Sequence, residues 1–295
     1  PENPTWEGRD RFFLDPGHMS PMLYGVLALS GKFTIEELQQ FRQWGSVTPG
    51  HPEVNFERGV ENTSGPLGQG HTYAVGAAIA AKFLQARLGA EVMSQTIYAY
   101  ISDGGVQEEI SQGAGRVAGT LGLDNLIMFY DANNVQLSTT VEEVDTEDVQ
   151  KKYEAWGWKV LHINGNDVAQ IRAALTEAKA EKQRPTLIIG DTLMGKGAMG
   201  PDQSSYENKV STHGQPLTAA GASIAETIKN LGGDPEHPFA VFPEVEALYA
   251  KRRAELEAIM VERRAVKKAW AEAHPDLAAK MQKWFSGEAP AINWE

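Results

Sequence analysis

The sequence predicts an α/β fold: a doubly wound, mostly parallel sheet with helices on both faces. Three observations lead there. Four short apolar runs, at 96–101 (TIYAYI), 126–130 (LIMFY), 159–163 (KVLHI) and 186–189 (TLII), read as strands. The segments between them, 106–121, 146–156 and 168–182, have helical spacing. Strand and helix alternate along the chain, the order that yields parallel strands with helical crossovers covering both faces.

Taken in order, residues 1–50 read as a loop leading into short helices. Within them Thr34, with Glu37 three residues on, has the form of a capping box. Residues 51–70 are rich in Gly, Pro, Asn and Thr and read as loop. The Ala-rich stretch 72–88 carries apolar residues on most sides, so it reads as a helix buried on most faces. From about residue 241 the composition shifts. Residues 242–284 are rich in Ala, Glu, Lys and Arg and are interrupted by Pro275, which suggests a surface helix pair, followed by a polar tail at 286–295.

Composition narrows the functional classes. Of 295 residues, 42% are hydrophobic and 22% charged, which excludes a disordered chain. A net charge of −12 argues against nucleic acid and anionic membrane as partners. No run approaches the ~18 apolar residues of a membrane span, and the opening PENPTWEGRD lacks the apolar core of a signal peptide. With no cysteine, disulfides, zinc–thiolate sites and a thiol nucleophile are excluded. A reducing compartment is consistent with that, and a cytoplasmic location is the expectation.

In parallel sheets, ligands bind beyond the carboxyl ends of the strands. The residues to read first are therefore 102–105 (SDGG), 131–134 (DANN), 164–167 (NGND) and 190–192 (GDT). Asp103-Gly104 and Asn133 stand one strand–helix–strand unit apart, which places both at the same end of neighbouring strands. One carboxylate plus one amide carbonyl is a hard-oxygen pair suited to Mg²⁺ or Ca²⁺. Gly104 lets the chain turn and brings backbone N–H groups toward an anion. A helix starting near Val106 would direct its positive end to the same place. A metal with a bound diphosphate would use all of these. The alternative, that Asp103 caps a helix and Asn133 closes a turn, stands beside it.

Two motifs fail as nucleotide loops. Residues 113–119 (GAGRVAG) fall inside a predicted helix and read as close helix packing. Residues 65–70 (GPLGQG) lack the Lys-Ser/Thr of a phosphate loop, yet they precede a buried helix whose free N–H groups could meet a ligand. Of seven histidines, His162, His237 and His274 read as structural or solvated. His18, His51, His71 and His213 lie in Gly- or Pro-containing loops, where they could donate to phosphate or shuttle protons.

Six stretches, RDRFFLDPGH, TPGHPE, GPLGQG, SDGGVQEE, LGLDNLIMFYDANNVQL and STHGQP, occur in an order that resembles the transketolase family of thiamine diphosphate enzymes. They span residues 10–216, and the likeness extends through the tail. The resemblance implies a diphosphate-binding domain over residues 1–240, lacking its extreme N-terminal segment. It also implies a helical linker, 241–295, toward an absent pyrimidine-binding domain. It implies Mg²⁺ (or Ca²⁺) held by the side chains of Asp103 and Asn133 and the carbonyl of Val135. Gly104 and Asn133 would contact the diphosphate of thiamine diphosphate, and Gly65, Pro66 and Leu67 would line its rings. His18 and His213 would reach the diphosphate and reacting centre, His51 the substrate hydroxyls, and Glu108 the dimer contact. These three histidines would be the catalytic set. The implied activity is transfer of a two-carbon ketol unit from a ketose phosphate to an aldose phosphate in the pentose phosphate pathway. The chain would supply half of the site within a homodimer and be inactive alone.

The sequence departs from the family pattern at Ser102, where Gly is usual, at Glu109, where Gly is common, and at Asn134, where Lys is frequent. A further catalytic histidine of the family belongs to a segment upstream of this sequence. The activating carboxylate and phosphate-gripping arginines belong beyond residue 295. Two other readings are a sister enzyme (dihydroxyacetone synthase or deoxyxylulose-phosphate synthase) and a cofactor-binding or dimerisation module without turnover. TPGHPE and STHGQP favour transketolase over the synthase of deoxyxylulose phosphate.

Overall fold

The computed structural model describes residues 4–289 and 291–292. Five strands, β1 (Arg11–Leu14), β2 (Ile97–Ser102), β3 (Leu126–Ala132), β4 (Lys159–Asn164) and β5 (Thr186–Asp191), form one sheet in the order β1-β2-β3-β5-β4. Every pairing is parallel. The helices are α1 (Ser20–Leu29), α2 (Ile35–Gln39), α3 (Gln69–Leu88), α4 (Asp103–Gln107), α5 (Glu109–Leu121), α6 (Val149–Ala155), α7 (Val168–Ala180), α8 (Ile224–Asn230), α9 (Pro243–Ala273) and α10 (Pro275–Phe285). No helix among the described residues is long and apolar enough to cross a membrane.

Side chains alternate across a strand, and here both sides are covered. Leu126, Met128 and Tyr130 of β3 join Ala74 and Ala78 of α3 and Ala118 of α5 in the main core. Ile127 and Phe129 turn to the opposite face and pack against Ala174 and Ala178 of α7. Each large apolar side chain so buried contributes about 1.5–3 kcal/mol, which explains strands apolar at nearly every position. The doubly wound expectation holds.

One expectation does not. Residues 11–14 were expected within a loop but form β1, with Arg11 opposite Ile97 and Leu14 opposite Tyr100. Four residues are too few to show a period, and what makes them a strand is the open edge of β2.

The local signals were sound elsewhere. Thr34 and Glu37 make both bonds of the capping box, at 3.2 and 2.9 Å. Asp148 and Asp167, which the sequence reading did not name as caps, close the starts of α6 and α7 through their side chains. Pro275 occupies the first turn of α10, where its missing N–H costs nothing. Trp270 and Met281 anchor the α9–α10 pair on Leu88 and Met93.

The 113–119 segment lies inside α5. A Cβ on Gly119 would fall on the Trp156 carbonyl, and the Trp158 indole N–H donates to the Gly115 carbonyl at 2.8 Å. Helix packing is the role of these glycines.

Candidate functional site

Ser102 pairs with Asp131 across β2 and β3, so the residues that follow each strand emerge side by side. The expected helix at 106 begins earlier, as the five-residue α4, and breaks at Glu108, whose ψ is 135°. Asp103 is therefore the first residue of α4, and it is only 4% exposed. Its Oδ1 accepts from the Tyr130 hydroxyl at 2.6 Å and its Oδ2 from the Asn133 backbone N–H at 3.2 Å. Asn133 Oδ1 accepts the Val135 N–H at 3.0 Å, closing an Asx turn. The turn reading is correct, and the turn also delivers Asn133 to Asp103.

Burial raises the Asp103 pKa to about 6. The Tyr130 hydroxyl and the Asn133 amide oppose the rise, and the Asp131 carboxylate adds to it. The groups that act most on this carboxylate are a phenol, backbone amides and a second carboxylate, with no cation among them. Among the described residues no three His, Cys, Asp or Glu side chains gather as a metal cluster. A divalent ion here would rest on one carboxylate and neutral oxygens, the donor chemistry of Mg²⁺ or Ca²⁺. A buried carboxylate lacking a counter-charge is a group that such an ion satisfies, so the residues fit it.

A cleft of about 470 Å³ opens beyond β2, β3 and β5. Seven of the expected residues line it: His18, Leu67, Asp103, Gly104, Asn133, Val135 and His213. The rings of His18 and His213 lie 5.0 Å apart, centroid to centroid. The His18 pKa is lowered to about 4, by burial first and then by His213, His51 and Arg42, against an opposing pull from Asp15. Burial also lowers that of His213, opposed by a hydrogen bond with the Val135 backbone. Burial thus favours the neutral form of both rings. In that state each can donate through one nitrogen and accept through the other.

The other expected residues stand outside the cleft wall. His51 is exposed and shares a neighbouring depression with Arg42; a Cβ on Gly17 would fall on its ring. Gly65 backs the same glycine, and Pro66 is exposed. Glu108 is exposed at the α4–α5 break, beside Gly68.

His71 departs from its expected place in a ligand-facing loop. Gly68, with φ of 84°, starts α3 three residues before the expected helix, so His71 lies in the first turn, fully buried. It sits beside Asp15, a residue the sequence reading passed over. Also unassigned were Tyr100, Asp131, Asn166 and Thr192, all in the cleft wall. The Thr192 hydroxyl donates to Asp131, and burial followed by the charge of Asp131 raises the pKa of Tyr100. The strand-end rule had pointed to three of these four. Tyr100, and the bonding of Asp131 with it and with Thr192, were hidden.

A family profile described as "Transketolase, thiamine diphosphate binding domain" matches residues 1–290. Transketolase 1 of Pasteurella multocida is 42% identical over 301 residues, which cover 100% of this chain and 43% of the relative. The chloroplastic transketolase-1 of Arabidopsis thaliana is 41% identical, over 100% of this chain and 40% of its own length. Among solved structures, transketolase from Leishmania mexicana superposes with a TM-score of 0.91 at 34% identity, covering 98% of this chain and 43% of that one. A Pichia stipitis transketolase in complex with sedoheptulose 7-phosphate gives 0.90 at 36% identity, covering 98% and 42%. This chain thus spans less than half the length of these relatives. Match and fold agree that the chain belongs to the transketolase thiamine diphosphate-binding domain family.

Proposed function

We propose that the chain supplies the metal and diphosphate half of a transketolase site, transferring a two-carbon ketol unit from a ketose phosphate to an aldose phosphate. The observation that carries the proposal is the convergence of Asp103 and Asn133 on one cleft wall, faced by His18 and His213. Asp103, Asn133 and the carbonyl of Val135 would hold Mg²⁺, with Ca²⁺ as a substitute. Gly104 and Asn133 would meet the diphosphate, and Leu67, with Gly65 and Pro66 behind it, would border the rings. When bound, thiamine diphosphate supplies the carbanion stabilisation that ketol transfer needs. The protein orients and moves protons. His18 and His213, in the neutral form that burial favours, would exchange protons with substrate hydroxyls, and His51 would contact the sugar at the cleft entrance.

The site needs more than this chain. Tyr73, Ile79 and Phe83 of α3 are exposed apolar side chains, and Ile110, Val117 and Leu121 form an exposed apolar stripe on α5, which packs against α3. They suit a second copy of the chain in a homodimer, or the pyrimidine-binding domain, with Glu108 near that contact. In this reading residues 1–240 form the diphosphate domain, 241–295 are the linker, and the enzyme is cytoplasmic and acts in the pentose phosphate pathway.

The test is an assay of the chain with and without a pyrimidine-binding partner, supplied with thiamine diphosphate, Mg²⁺, a ketose phosphate and an aldose phosphate. Two-carbon transfer is expected only with the partner. Transfer by the chain alone would refute the half-site reading, and no transfer with a competent partner would refute the activity.

A further inference from the structure

Asp15 and His71 are 0% exposed, and the proposed chemistry uses neither. Asp15 follows β1, and its N–H donates to the Tyr100 carbonyl at 3.0 Å. Its Oδ1 accepts the Gly70 N–H at 2.8 Å and stands 3.6 Å from His71 Nδ1. Oδ2 and both ring nitrogens of His71 have no hydrogen-bond partner among the described residues. Oδ2 points at Gly105: a Cβ there would fall on the carboxylate, with the His71 ring 3.5 Å away. Gly70 allows the same close approach, since its Cβ would lie 2.6 Å from that of Asp15. The Gly105 carbonyl in turn accepts from the Ser111 hydroxyl at 2.6 Å.

Three cleft-wall segments therefore meet at one buried carboxylate. Asp15 is two residues before Gly17-His18, His71 is four after Leu67, and Gly105 is two after Asp103. Apolar side chains would join these segments without the cost of desolvating a carboxylate. What the buried carboxylate adds is direction, because the hydrogen bond it accepts from the Gly70 N–H tolerates little change in angle or distance, and the His71 ring packs beside it and shields it from water.

We propose that Asp15 and His71 are a positioning pair that sets the Gly104–Gly105 turn against the first turn of α3. They thereby fix Asp103 relative to Leu67 and His18 for binding of the metal and diphosphate. The proposal deepens the reading of the cleft given above and rests on it. Without the imidazole, the carboxylate is relieved only by admitting water, and the element free to move is the turn that carries Asp103.

The test titrates the complete enzyme with Mg²⁺ and thiamine diphosphate for the wild type, His71→Leu, Asp15→Asn and the double variant. His71→Leu is expected to weaken cofactor binding about tenfold or more, the scale of a buried carboxylate losing its polar side-chain neighbour. The double variant, with no carboxylate left to satisfy, is expected to return to within about threefold of wild type. Melting temperatures are measured alongside, since a purely structural role lowers them without moving affinity below the transition. His71→Gln, which keeps a donor, is expected to bind like the wild type and serves if His71→Leu fails to fold. Unchanged affinity in a folded His71→Leu, or a double variant no better than the single, overturns the pair while leaving the cleft reading intact. A wild type that binds neither ligand overturns that reading and the pair with it.

Discussion

Asp103→Asn separates the two demands placed on this side chain. The carboxyl is nearly fully buried, and burial lifts its pKa from 3.8 to about 6. That difference is worth roughly 3 kcal/mol. A raised acid pKa means that the folded state holds the proton more tightly than the unfolded chain. Without divalent metal, stability is therefore complete below about pH 4 and falls as pH rises through about 4 to 6; about half the loss is present at pH 5. Asparagine carries no charge and escapes that loss. It also presents an N–H₂ where one carboxylate oxygen now accepts from Tyr130 or the Asn133 amide, a penalty of about 1 kcal/mol. The net expectation in EDTA at pH 7.5 is that the variant is more stable by about 2 kcal/mol, shrinking below about 1 kcal/mol at pH 5. Metal reverses the ranking. At a hundred times its dissociation constant a ligand adds about 2.7 kcal/mol to the wild type and nothing to a variant that has lost the proposed ligating carboxylate. Urea unfolding at the two pH values, with EDTA and then with Mg²⁺, measures each quantity. A variant less stable than wild type at pH 7.5 in EDTA would refute the claim that Asp103 is a buried carboxylate awaiting a cation.

Other outcomes follow from the same geometry. Gly119→Ala places a methyl on the Trp156 carbonyl and should cost about 1–3 kcal/mol; a thermal melt reads this, and metal affinity should not change. Trp158→Phe removes the indole donor from the Gly115 carbonyl, which keeps its place in the α5 ladder, and chemical denaturation should show a loss of about 0.5–1.5 kcal/mol. In an NMR titration the His18 ring should stay neutral until the pH nears about 4; a midpoint near the ordinary histidine value would show that water, not packing, surrounds it. Charged residues in place of Ile79 and Phe83 should leave the melting temperature near wild type and abolish self-association by sedimentation, whereas an unaltered dimer would move the interface elsewhere.

Legibility followed the range of the interactions. The helix cap at Thr34 spans three residues and is written in adjacent letters. The Asp103–Asn133 pair was also readable, because a parallel crossover returns the chain to the same end of the sheet, and both residues follow apolar runs. His71 was misplaced because a left-handed Gly68 starts the helix three residues early, and Gly is compatible with loop and cap alike. The Tyr100–Asp131–Thr192 group joins three strands, β2, β3 and the end of β5, and no spacing along the chain encodes that meeting.

The sequence alone determined the alternating architecture, the sheet end that carries polar residues, and the placing there of one carboxylate and one carboxamide, Asp103 and Asn133. Those depend on side-chain period and on the chemistry of single residues. Only the tertiary structure decided that RFFL is a strand, that His18 and His213 face one another with burial favouring their neutral forms, and that Asp15 lies buried behind the turn bearing Asp103. Each of these follows from desolvation and contact between segments far apart in the chain, and such effects arise only when the core closes around them.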